Sequence, residues 1–156
     1  MQSQQLYDKY VEGRHWEKHP TVYAERFVDF LKKKKNSGMI IDVGCGNGRD
    51  VEIFADAGFK TLGIDYAKEE IAKTQQKFPQ LKFEVMNVEK LKFQDNSIDA
   101  FFMINVIHYV NKEKALQEIF RTLKQKRYFF IHVKMRLADR RSKTGGMFAS
   151  LTASPF

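Results

Sequence analysis

From Gly38 onward the chain alternates between short apolar runs rich in β-branched and aromatic residues and longer stretches with helical spacing. The runs Met39–Val43, Lys60–Ile64, Leu81–Met86, Ile98–Ile104 and Tyr128–Val133 read as strands. Helices fit Arg49–Ala57, Ala67–Phe78 and Lys112–Leu123, where Ala115, Leu116, Ile119, Phe120 and Leu123 form one apolar stripe. Ahead of them, residues 21–35 read as a further helix: Tyr23, Phe27, Phe30 and Leu31 share a spacing, and Thr21 after Pro20 suits a start. The run Lys32-Lys33-Lys34-Lys35 then lies at its C-terminal end, where cations complement the helix dipole. Strands separated by crossover helices imply a parallel sheet with right-handed connections, hence a doubly wound α/β fold.

A chain of 156 residues suits one domain with a core of its own. The pattern divides it into an N-terminal helical segment (1–37), an α/β core (38–134) and a basic tail (135–156). With 43% hydrophobic and 29% charged residues, fibrous and low-complexity readings are excluded. One cysteine leaves no intramolecular disulfide and suits a reducing compartment. The polar start Met1–Gln5 lacks the apolar stretch of a signal peptide, and no run approaches the ~18 apolar residues of a membrane span. The expectation is a cytoplasmic protein with no membrane partner and no metal site. Charge changes the picture at one place: residues 121–143 carry nine basic side chains and one acidic, so the whole excess of +8 lies there. Such a stretch is either an anion-binding surface, for RNA for instance, or a solvated tail.

The candidate chemistry begins where the first strand runs into Asp42-Val43-Gly44-Cys45-Gly46-Asn47-Gly48-Arg49-Asp50, a glycine-rich turn opening a helix. In such a sheet, ligands sit beyond the carboxyl ends of the strands at the point where strand order reverses. Asp65 ends the next strand, 21 residues after Gly44, where a carboxylate accepts hydrogen bonds from ribose hydroxyls. A nicotinamide dinucleotide site wants G-x-G-x-x-G; here the glycines fall at 44, 46 and 48 and position 49 is Arg, so that reading loses its third glycine.

The run Ile41–Gly48 instead resembles motif I of the class I S-adenosylmethionine-dependent methyltransferases, in the type 11-like branch, whose G-x-G-x-G wraps the cofactor. Later pieces arrive in the family's order. Gly63-Ile64-Asp65-Tyr66-Ala67 looks like motif II, and Asn87–Phe93 resembles D-A-x-x-L-P-F. Ser97–Ala100 through Asn105–Val110 resembles S-F-D…V-L-H-H, and Ala115–Ile119 with Leu123-Lys124 looks like the helix leading to L-K-P-G-G. The resemblance covers residues 38–133.

It implies a Rossmann-like fold, S-adenosylmethionine as cofactor with S-adenosylhomocysteine as product, and methyl transfer to an acceptor, a small molecule before tRNA or other RNA. By the same resemblance Gly44, Cys45, Gly46, Asn47 and Gly48 line the cofactor, Asp42 orders the loop, Asp65 binds the ribose and Tyr66 packs on adenine. Asn87, with Val88 beside it, stands where the family usually has the Asp that holds the adenine amino group; a turn role is the alternative. Asn105 matches a position facing the methionine end, or else caps its strand. Cys45 inside the loop reads as a small packing residue rather than a nucleophile. A hydroxyl or amide acceptor needs a base, and His108 and Tyr109 are the candidates, His108 having a packing role as its alternative. The family's N-terminal segment often folds over the cofactor, which makes Tyr10 a cofactor contact and Arg14, His15 and Trp16 substrate contacts.

Two departures open a rival reading, a protein that holds the cofactor without catalysis and supports a partner subunit. Gln125-Lys126-Arg127 replaces the P-G-G turn, and 22 residues follow Lys134, too few for the family's remaining helix and two strands. The fifth strand is therefore expected at the sheet edge, the C-terminal strands missing, and the chain either truncated or completed by a second copy as a homodimer.

Overall fold

The protein is described by a computed structural model over residues 21–133 and 149–150. Its elements are α1 (Val22–Lys33), β1 (Met39–Val43), α2 (Arg49–Asp56), β2 (Lys60–Asp65), α3 (Lys68–Lys77), β3 (Phe83–Val85), β4 (Ile98–Ile104), α4 (Lys112–Thr122), β5 (Leu123–His132) and β6 (Ala149–Ser150). They form one sheet in the order β3-β2-β1-β4-β5-β6, parallel from β3 to β5. The doubly wound expectation holds, and the order reverses between β1 and β4.

The two faces of the sheet bury different partners. Ile41, Val43, Phe101, Met103 and Phe129 pack with Ala115 and Ile119 of α4, while Ile40, Ala100 and Phe102 pack with Phe27 and Leu31 of α1 and Phe54 of α2. β4 lies centrally and is buried from Ile98 to Met103 because both faces are covered, so from Ala100 its sequence is a continuous apolar run rather than an alternating one. On the α1 face the rings of Phe27, Phe102 and Phe130 lie 5.1–5.6 Å apart. Phe27 and Phe102 are buried, and each such ring contributes on the order of 1.5–3 kcal/mol.

α1 forms where expected, and its start is tied to the rest of the fold. The Thr21 hydroxyl oxygen accepts the Ala24 N–H (3.2 Å) as an N-cap. The Thr21 N–H and hydroxyl donate to the two carboxylate oxygens of Asp50 in the first turn of α2 (2.7 and 3.2 Å). Thr21→Ala should therefore cost about 1–2 kcal/mol, read as a lower denaturant midpoint with unchanged slope; no shift would mean that the cap is replaced by solvent.

Three boundaries differ from expectation. β3 is three residues, not six, because the Leu81 N–H turns back to the Phe78 carbonyl (3.1 Å). β5 begins at Leu123, directly after α4 and five residues earlier than its apolar run. The polar start is recruited by pairing of Leu123 with Ile98 and by the Asp99 carboxylate, which takes Lys124 at 3.0 Å and Arg127 at 3.3 Å. Finally, β6 pairs antiparallel with β5 at Phe130 and Ile131, so the edge expected at β5 is covered over those two residues. Among the described residues no other strand lies on that side.

The basic stretch is likewise partly spent inside the fold. Arg121 binds Glu118 and Asp95 and donates to the carbonyls of Leu91 and Phe93. With Lys124 and Arg127 on Asp99, three of the four described cations, Lys126 being the fourth, have carboxylate partners. Lys134, Arg136, Arg140, Arg141 and Lys143 lie outside the described residues.

Candidate functional site

The carboxyl ends of β1, β2, β3 and β4 lead into Gly44, Tyr66, Met86 and Asn105, so the predicted site segments meet at one end of the sheet. The glycine loop is held from below by the Ile64 carbonyl, which accepts the N–H groups of Gly44 (2.8 Å) and Cys45 (3.1 Å). From the side, the Thr74 hydroxyl of α3 donates to the Gly46 carbonyl (2.8 Å). Gly44, Gly46 and Gly48 all take positive φ, at 70°, 49° and 78°. Among the described residues a Cβ at Gly46 would meet nothing within 4 Å, so that part of the loop borders space they leave open. Gly44 crosses the switch point instead, its missing Cβ lying against Val106 after β4.

Asp65 is buried at the end of β2 and organises the loop. Its Oδ2 accepts the Gly46 N–H (3.1 Å) and its Oδ1 the Ala67 N–H (2.9 Å). Each oxygen keeps lone-pair capacity for a further donor. Burial pushes this carboxyl above its ordinary range, opposed by the two amides. The loop-ordering bond expected of Asp42 is thus made by Asp65. Asp42 is itself buried, and burial together with the charges of Asp50 and Asp65 raises its carboxyl well above the ordinary 3.8. A group whose folded pKa is raised contributes stability that is present below its unfolded pKa and lost as pH climbs toward the folded value. Asp42→Asn should therefore raise the thermal midpoint at pH 7, with the advantage shrinking toward pH 3.8, in melts taken across that range. An advantage independent of pH would show that the carboxyl is not strained by burial.

The remaining predicted residues fall into distinct environments. Tyr66 is 67% exposed beside Asp65, a free ring at the rim. Asn87 is exposed, and its side-chain oxygen accepts the Glu89 N–H (2.8 Å), so it makes the turn while its amide nitrogen keeps two donors. Val88 is buried in the core, so its side chain is directed away from the rim. Asn47 accepts the Arg49 N–H at 3.4 Å. Cys45 packs with Val51, Ile71, Phe78 and Phe83, and burial raises its thiol well above its ordinary range, as a packing role requires. Asn105 has φ +58°, and its N–H donates to the His132 carbonyl (2.9 Å). His108 is exposed and Tyr109 half-buried in the turn after β4. Tyr10, Arg14, His15 and Trp16 lie outside the described residues.

Sequence reasoning missed Asp50, Thr74 and His132. Asp50 follows the motif directly, but its partner Thr21 is 29 residues away, so no local pattern marks it. Among the described residues no three His, Cys, Asp or Glu side chains cluster to hold a metal ion. Nor is any helix among them long and apolar enough to cross a membrane.

Comparison with known proteins agrees with this geometry. The methyltransferase domain family matches residues 41–131. A probable S-adenosylmethionine-dependent methyltransferase of Mycolicibacterium smegmatis is 24% identical over 129 residues, covering 81% of this chain and 48% of that protein. The probable tRNA methyltransferase 9B of Bos taurus is 32% identical over 106 residues, covering 63% of this chain and 22% of that one. Among solved structures, geranyl diphosphate C-methyltransferase from Streptomyces coelicolor A3(2) superposes with a TM-score of 0.60 at 17% identity, over 70% of this chain and 45% of that one. The chain spans about half the length of the curated relatives it matches, 48%, 50% and 43% for three of them. A family match across β1 to β5, on a sheet that reverses where the glycine loop and Asp65 converge, means that the chain belongs to the class I S-adenosylmethionine-dependent methyltransferases.

Proposed function

We propose that this chain binds S-adenosylmethionine on the Gly44–Gly48 loop and Asp65, and transfers its methyl group to a small-molecule acceptor. The observation that supports this most is Asp65: a buried carboxylate at the end of β2 that holds the Gly46 N–H yet retains acceptor capacity, next to open space at Gly46. In this reading Asp65 takes the ribose hydroxyls, Tyr66 covers the adenine, and the Asn87 amide donates to a ring nitrogen. Bound there, the cofactor supplies an electrophilic methyl, and the protein's part is chiefly to align the acceptor and exclude water.

A small acceptor is favoured over RNA because Arg121, Lys124 and Arg127 already serve acidic partners within the fold. Calorimetry with S-adenosylmethionine, S-adenosylhomocysteine and NAD tests the site, the first two binding and NAD not. Turnover against metabolite and tRNA pools at increasing salt then tests the acceptor. A small acceptor leaves turnover nearly independent of salt, whereas a steep fall with tRNA would establish the RNA reading.

A further inference from the structure

One ring at the carboxyl edge is packed but leaves a nitrogen without a hydrogen bond among the described residues. His132 ends β5, beside the end of β4, and its carbonyl holds the Asn105 N–H. Its imidazole stacks on Tyr23 of α1, centroids 4.3 Å apart and planes at 29°. Beneath, the stack continues through Phe130, 6.1 Å from Tyr23, to Phe102. Packing therefore fixes the ring's position, but hydrogen bonding does not: among the described residues the buried Nδ1 has no partner. An unpaired buried polar atom carries a desolvation cost, and a catalytic role is one reason a native fold keeps one.

We propose that His132 is the proton acceptor of the methyl transfer and that the acceptor molecule presents a hydroxyl group to it. This rests on the reading of the glycine loop and Asp65 as the S-adenosylmethionine site. The hydroxyl oxygen attacks the methyl carbon, forming an O–C bond as the C–S bond breaks and its electron pair stays on sulfur. The O–H bond breaks in the same event and its proton goes to the imidazole, so the positive charge leaves the sulfonium and appears on His132 before passing to water. No protein partner commits Nδ1 to one tautomer, so the ring is able to offer a lone pair. Burial also pulls its pKa below the ordinary histidine value, which favours the neutral ring. Phenols and other alcohols need such a base, whereas thiols and carboxylates need little help. His108 and Tyr109, the bases read from the sequence, sit in the turn after β4, His108 exposed and Tyr109 half-buried.

The test uses the full chain with His132→Gln and His132→Ala. S-Adenosylhomocysteine should bind wild type and both variants within twofold by calorimetry; absence of binding to wild type overturns the cofactor reading, and this inference with it. In protein labelled with ¹⁵N-histidine and saturated with S-adenosylhomocysteine, added phenol should shift the ring resonances missing from His132→Gln, and benzylamine should not. Radiolabelled methyl transfer to a panel of phenols and aliphatic alcohols should fall at least about a hundredfold in both variants, with added imidazole restoring part of it in His132→Ala. Ring resonances indifferent to phenol, label found only in amine or thiol products, no transfer to any hydroxyl, or variants within threefold of wild type would each overturn the proposal while leaving the cofactor site standing.

Discussion

Asp65→Ala should weaken S-adenosylhomocysteine binding by a hundredfold or more. Two charge-assisted hydrogen bonds to the ribose at roughly 1.5–3 kcal/mol each set that scale, since about 1.4 kcal/mol is tenfold. The same carboxylate also holds the N–H groups of Gly46 and Ala67, so its loss loosens the loop that faces the ligand. The thermal midpoint should fall together with the affinity, which a residue serving only the ligand would not cause. Asp65→Asn separates the two effects: it keeps one acceptor oxygen, and should recover much of the stability but little of the affinity. Calorimetry on variants matched for folding by circular dichroism checks both, and an unchanged affinity for Asp65→Ala would remove the basis of the cofactor site.

The second large effect divides glycines that look alike in the motif. At Gly48, φ +78°, an added Cβ would stand 2.7 Å from Thr74 Cγ2 and 2.9 Å from Phe83 Cζ, where α3 and β3 close over the loop. Gly48→Ala should destabilise by about 1–3 kcal/mol for overpacking with a further ~1–2 kcal/mol for a left-handed side-chain-bearing residue. Gly46 also has positive φ, at 49°, but its Cβ would meet nothing. Gly46→Ala should therefore cost only the backbone part of stability and still lose cofactor affinity, because the methyl occupies the space the ligand needs. Urea unfolding and calorimetry on the two variants settle this. Tight binding by Gly46→Ala would make the loop a plain turn, and a stable Gly48→Ala would mean that Thr74 and Phe83 give way.

Much of this was legible in the sequence, because the signals involved are local. The apolar run Ala100–Ile104 of β4, the periodic stripe of α4 and the glycines before α2 are carried by neighbours within a few positions, and these predict β1, β4 and the helices to within a residue or two. Order along the chain then places the loop and Asp65 at the same end of the sheet. What the sequence does not carry is which distant groups meet. Asp99 draws Lys124 and Arg127 into β5, extending a strand through residues with no strand pattern and neutralising part of a stretch that reads as an RNA surface. Thr21 reaches Asp50, Thr74 reaches the Gly46 carbonyl, and His132 arrives beside Asn105 with an unpartnered nitrogen. Each depends on sheet register and helix docking between segments more than 20 residues apart. The elements and the loop chemistry are readable from neighbouring residues, since backbone preference and hydrophobic period act within one turn or strand; the partners of the polar groups emerge with the assembled fold, since a hydrogen bond or ion pair is set by distance in space.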